Sequence, residues 1–143
     1  TYYQYCIALS KCYAGDALGY YDGISIDHIY ASKAERRTIY GKDGCYVFAL
    51  IWVEPNINVK SLSISELYRK EKNIPIETLF IGDNTKVDLL TVDRVSFENH
   101  TGTPTPFIVN NGDVKKLVLG TTDIRGDEII KNNGVIENQT KMS

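Results

Sequence analysis

Two side chains in this sequence have the intrinsic chemistry of a nucleophile and its base: Cys45 and His100. Cys45 lies in Asp43-Gly44-Cys45-Tyr46, a turn followed by the uncharged run Tyr46 to Val53. A turn of this kind can present a thiol while the segment behind it holds position. A thiol attacks as the thiolate, so it needs an imidazole to take its proton and a third group to orient that ring. His100, in Asn99-His100-Thr101-Gly102, follows a strand-like segment where such a base can stand. The other histidine, His28, sits between Asp27 and Ile29 and reads as a strand residue with a satisfied hydrogen bond. Val47, Ile51 and Val53 favour a strand after Cys45, and a cysteine opening a buried strand is common. We therefore read Cys45 as the first buried position of a central strand, keeping Cys45 and His100 as weak catalytic candidates.

Asp43-Gly44-Cys45-Tyr46 loosely resembles the start of several papain-like cysteine hydrolases. The resemblance implies a thiol hydrolase with Cys45 attacking and His100 as base, although those families place the cysteine on a long helix. Ile29-Tyr30-Ala31-Ser32, the segment to Tyr40 and the strand from Tyr46 resemble part of the ADP-ribosyltransferase core. That resemblance implies NAD-linked transfer and an upstream Arg or His to hold the dinucleotide. Here no Arg precedes Arg36 and no His precedes His28.

Other polar groups suggest less chemistry. Cys6, Cys12 and Cys45 form no Cys-x-x-Cys pair and no Cys/His ligand cluster, so neither a structural metal nor a cofactor is expected. Three free thiols fit a reducing intracellular compartment or a virion, while the sequons at Asn99 and Asn138 keep a secreted origin open. Asp83, Asp88 and Asp93 recur every fifth residue and read as turn and solvent-face charges. Lys33, Arg36, Arg37 and Lys42 form a small basic group, which is either a solvated helix face or an interaction patch for a phosphate or an acidic partner. No phosphate-cradling glycine loop occurs.

The elements expected to position these groups are helices and strands in alternation. Ser32-Lys33-Ala34-Glu35 and Ser63-Ile64-Ser65-Glu66 both match the capping box, in which serine and glutamate satisfy each other's backbone donors. They predict helices from about Lys33 to Tyr40 and from about Ile64 to Lys72, the second stopped by Pro75. Strands are predicted at Tyr2–Leu9, Ile24–Tyr30, Cys45–Val53, Glu77–Ile81, Val87–Glu98, Pro106–Asn110 and Val114–Leu119. Asn110-Asn111-Gly112-Asp113 reads as a hairpin turn, and no long internal repeat is evident. The fold class expected is α+β: a mixed sheet with two short capped helices in the N-terminal half and a hairpin-rich C-terminal half. Residues 1–120 would form one globular domain, and 121–143 a polar extension, partly mobile or packed on a partner.

Composition narrows the function classes. The chain has 143 residues, is 43% hydrophobic and 24% charged, and carries a net charge of −2. Those values fit one ordinary globular domain and argue against a general nucleic-acid binder. The longest apolar run is far too short to span a bilayer as a helix. Ten tyrosines suit surfaces that become buried on assembly, because Tyr combines contact area with a polar tip. The expected function is therefore a non-enzymatic structural or protein-interaction domain, a soluble component of a viral or phage particle or another assembly. Its partners would be other protein subunits, including copies of itself. A small enzyme built on Cys45/His100 or an ADP-ribosyltransferase-like site is the alternative, and an inhibitor or immunity-type binding protein the second.

Overall fold

The computed structural model describes residues 7–11, 18–31, 49–72, 76–125 and 127–142. Eleven strands are found among them: β1 (Ile7–Leu9), β2 (Gly19–Ala31), β3 (Ala49–Val53), β4 (Ile57–Glu71), β5 (Glu77–Ile81), β6 (Lys86–Asn99), β7 (Ile108–Asn110), β8 (Asp113–Leu119), β9 (Thr122–Ile124), β10 (Ile130–Asn132) and β11 (Val135–Lys141). They form two sheets, ordered β1-β3-β5-β7-β10 and β11-β8-β6-β4-β2, with β9 paired to β6. The assigned strand pairs are parallel throughout. The chain thus winds as a parallel β-helix, each coil giving one strand to each sheet and lying in register on the next.

The long strands of the second sheet bend once. His28, Glu66 and Arg94 take left-handed backbone angles, with φ of 57°, 52° and 51°. The register places all three at one level, between the pairs Asp27–Ser65–Asp93 and Ile29–Leu67–Val95. At that level of the next coil the strand is interrupted at Gly120-Thr121, which separates β8 from β9. The bend divides the second sheet into two flanks, so the coil has three sides.

Side chains repeat inward by alternation and stack between coils. One row runs Ile24–Leu62–Leu90–Leu117 and another Ile26–Ile64–Val92–Leu119. Leu62, Ile64, Leu90, Val92 and Leu117 are essentially inaccessible; each such side chain contributes roughly 1.5–3 kcal/mol relative to exposure. The rows show the repeat that residue identities conceal. Ile51 stands beside Leu79 and Val59 beside Val87, each 28 positions on, while Val87 stands beside Val114, 27 on.

Several expectations are overturned. Among the described residues there is no helix and 72% lie in strands, so the class is all-β rather than α+β. The helix expected from Ile64 to Lys72 falls on β4, whose burial alternates with a period of two from Leu62 to Ile64 and again from Leu67 to Glu71. Ile64, Leu67 and Tyr68 also satisfy a helical spacing, but β4 gains ladder partners on both edges, β2 and β6, which outweigh a local cap. Glu66 marks the bend rather than the third residue of a helix. The helix expected over Lys33–Tyr40 lies outside the described residues, as do positions 45–48 of the segment that opens at Cys45. Asn110-Asn111-Gly112-Asp113 is not a hairpin turn: β7 and β8 belong to different sheets, so it is a corner.

At that corner successive coils approach closely. Asn110, buried, donates through its amide to Asn132 Oδ1 (2.9 Å) and Val135 O (3.1 Å) and accepts from Gly112 N–H (3.0 Å). A Cβ on Gly112 would lie 2.4 Å from the Thr85 carbonyl oxygen, and one on Gly134 would lie 2.1 Å from that of Gly112. Both obstacles are backbone atoms of the neighbouring coil. Gly112→Ala is expected to destabilise by about 1–3 kcal/mol through overpacking. Gly23→Ala, where a Cβ meets nothing within 4 Å, should change stability by no more than about 0.5 kcal/mol. Urea titration of the two variants measures the contrast.

Candidate binding face

Beyond the bend, the third side is formed by the C-terminal ends of β2, β4 and β6 and by β9. Its inward row, Ala31–Arg69–Phe97–Ile124, mixes apolar groups with a cation. Arg69 is buried with Glu71, Nε to Oε1 at 3.2 Å, and both side chains are inaccessible. Arg69 Nη1 also donates to Thr78 Oγ1 at 2.9 Å, and the guanidinium lies 4.5 Å from the centre of the Phe97 ring. A guanidinium is planar and weakly hydrated, so it accepts this combination of carboxylate, hydroxyl and aromatic face better than an ammonium would. The pair sits inside the coil and fixes the backbone on which the outer side chains stand.

Alternation projects the intervening residues outward. Tyr30, Tyr68, Ser96 and Asp123 are in register on four successive coils. The Tyr30 and Tyr68 rings stack with centres 5.2 Å apart and planes inclined by 22°, close to the strand spacing and within the favourable range for aromatic pairs. Two residues further on, Lys70 pairs in register with Glu98. A hollow of about 370 Å³ is lined by Tyr30, Ala31, Tyr68, Arg69, Lys70 and Glu98. A second, of about 340 Å³, lies among Ser96, Glu98, His100, Asp123 and Arg125. Glu98 borders both.

The charges here are paired and exposed. Lys70 Nζ is 3.9 Å from Glu98, His100 Nε2 is 3.2 Å from the same carboxylate, and Arg125 Nε is 3.2 Å from Asp123. At the bend, a ladder of polar contacts runs from His28 to Glu66, from Glu66 to Arg94 Nε (3.4 Å) and from Arg94 Nη1 to Asp93 (3.0 Å). Asp93 also accepts from Thr121 N–H at 2.8 Å. Solvent screens contacts of this kind to about 0–1 kcal/mol each, so they set which coil lies on which more than they hold the coils together.

Of the residues singled out in the sequence, His100 belongs to this face. Its backbone N–H donates to Glu71 O at 2.8 Å and its ring reaches Glu98. Cys45, Lys33, Arg36, Arg37 and Lys42 lie outside the described residues, so the pairing of Cys45 with His100 and the basic patch are not part of the described geometry. Asn99 is engaged, donating to Thr103 O at 2.8 Å and accepting from Thr101 N–H at 3.0 Å; Asn138 lies exposed on β11. Among the described residues no three His, Cys, Asp or Glu side chains gather as a metal site, and no helix is long and apolar enough to cross a membrane. Sequence reasoning missed the tyrosine row. The signal available was the 28-residue step from Tyr68 to Ser96, visible once Val59 and Val87 are aligned.

Removing one partner of the buried pair leaves the other charge in a dry interior. Glu71→Ala is expected to cost about 3–5 kcal/mol, and Arg69→Met with Glu71→Leu distinctly less, because the double change removes both charges. Chemical unfolding of the two variants against the parent protein measures the difference.

Comparison with protein-family models, curated proteins and solved structures found no match to this chain.

Proposed function

We propose that this protein is a non-enzymatic structural or protein-interaction domain, a component of a larger assembly such as a viral or phage particle, and that a second copy of the chain is among its partners. The observation that carries this reading is the difference between β11 and β2, the outer described strands of the second sheet. On β11 two of the core rows turn polar, Leu117 being followed by Gln139 and Leu119 by Lys141, while the row through Val114 continues as Ile136. Polar residues on a rung of a repeat stack suit a capping position.

The β2 end keeps its apolar rows. Tyr21, Ile24 and Ile29 are half-buried against the core, and Ile26 is buried. Over its 13 residues β2 pairs with β4 on one edge, and among the described residues nothing pairs with the other. Tyr20 and Tyr30 stand 74% and 77% exposed at its two ends. An edge that the described residues leave unpaired, and that carries aromatic side chains, is a template for strand addition.

Two copies of β2 meeting about a two-fold axis would pair antiparallel, the symmetry most soluble oligomers adopt. The midpoint of Gly19–Ala31 is Ser25, which would then face its own counterpart. The enzyme reading built on Cys45 and His100 draws nothing from the described geometry, in which His100 contacts Glu98 and Cys45 has no part. Sedimentation of the full chain across a concentration series should show a species of twice the chain mass. Ser25→Lys sets like charges opposite each other and should weaken that species by about tenfold with the monomer's unfolding midpoint unchanged. A parent protein that remains monomeric at every concentration overturns the proposal.

A further inference from the structure

The outward row Tyr30–Tyr68–Ser96–Asp123 has rings on two rungs and a small hydroxyl on the third. One face of the Tyr68 ring stacks on Tyr30. Its other neighbour in the row is Ser96, so a rung of the aromatic stack is missing next to a side chain that is 40% exposed. We propose that this rung is a saccharide-binding slot, in which a neutral pyranose lies over Ser96 against the Tyr68 ring.

Three features select that ligand class. The C–H face of a pyranose is apolar and slightly positive at its hydrogens, matching the negative face of the tyrosine ring. A flat ring placed over Ser96 continues a stack whose repeat the backbone already fixes at one strand spacing. The groups around the slot are hydroxyl-reading and balanced in charge: Lys70 is paired with Glu98 and Arg125 with Asp123. Each cation already faces a carboxylate, which disfavours phosphate or sugar-acid ligands. The four groups remain largely exposed, with side-chain accessibilities between 57% and 87%, so each can turn toward a ring hydroxyl. Glu98 borders both hollows and His100 shares its carboxylate. A second sugar residue can therefore run from the Ser96 rung toward the Tyr30–Tyr68 hollow. The slot over Ser96 lies on the side face, and the hollow beside it shares Tyr30 with the β2 edge.

The test titrates the full-length chain with a panel of neutral hexose and N-acetylhexosamine oligosaccharides, following backbone amide shifts by NMR. Binding is expected to shift Tyr68, Ser96 and Asp123. Tyr68→Ala should weaken it by about tenfold, and Ser96→Tyr, which fills the rung with the protein's own ring, by at least as much. Tyr20→Ala, on another side, should change affinity by less than about twofold. Thermal unfolding of the Ser96→Tyr variant close to that of the parent keeps a loss of binding assignable to the slot. The proposal is overturned if no oligosaccharide shifts these residues, if Ser96→Tyr binds as well as the parent, or if a nucleoside monophosphate titrated in parallel binds there more tightly.

Discussion

Everything in this molecule depends on successive coils lying one strand spacing apart around the whole circuit, at about 4.8 Å. The sides meet that requirement easily, because parallel strands pair at this distance. The corners are where it is demanding. At the stacked corners between β7 and β8 and between β10 and β11, Gly112 and Gly134 leave no room for a Cβ against the carbonyls of the coil beside them, and buried Asn110 ties its own corner to the next through Asn132 and Val135. At the bend of the second sheet the same spacing is kept by three residues held at positive φ. A left-handed residue costs about 1–2 kcal/mol when it is not glycine. His28, Glu66 and Arg94 offset part of this by pairing with one another up the stack.

The interior follows from the same spacing. Because each coil repeats the position of the last, a side chain is packed against its own counterpart, and rows of Leu or of Ile and Val result. Where the row on the third side departs from this, with Arg69 between Ala31 and Phe97, the cation is held by Glu71, Thr78 and the Phe97 ring. A buried pair of this kind adds little net stability compared with apolar residues, but it admits few alternative arrangements. The outward Tyr30, Tyr68 and Ser96 positions therefore stand on backbone whose registration is tightly specified, as suits a surface that recognises shape.

The outer described strands of the second sheet differ in chemistry although they share one backbone geometry. On β11 Gln139 and Lys141 follow Leu117 and Leu119 while Ile136 follows Val114, whereas Tyr21, Ile24, Ile26 and Ile29 carry the apolar pattern onto β2.

The sequence by itself determined most strand positions. Glu77–Ile81 coincides with β5, Val87–Glu98 lies within β6, and Val114–Leu119 within β8, since alternation and β-branched content are local properties. It also marked Gly112 and Asn110 as a place where the chain turns. It could not tell a corner from a hairpin there, because the two differ only in which strand comes alongside afterwards. Ser63-Ile64-Ser65-Glu66 satisfies a helix cap and a bent strand equally well at short range; only pairing with β2 and β6, made by residues about 28 or more positions away, decided for the strand. The repeat was likewise hidden, since it conserves burial and spacing rather than residue identity. The tyrosine row became a face only when winding brought positions 30, 68, 96 and 123 side by side, because coil-to-coil register is a property of the wound chain and of no local stretch of it.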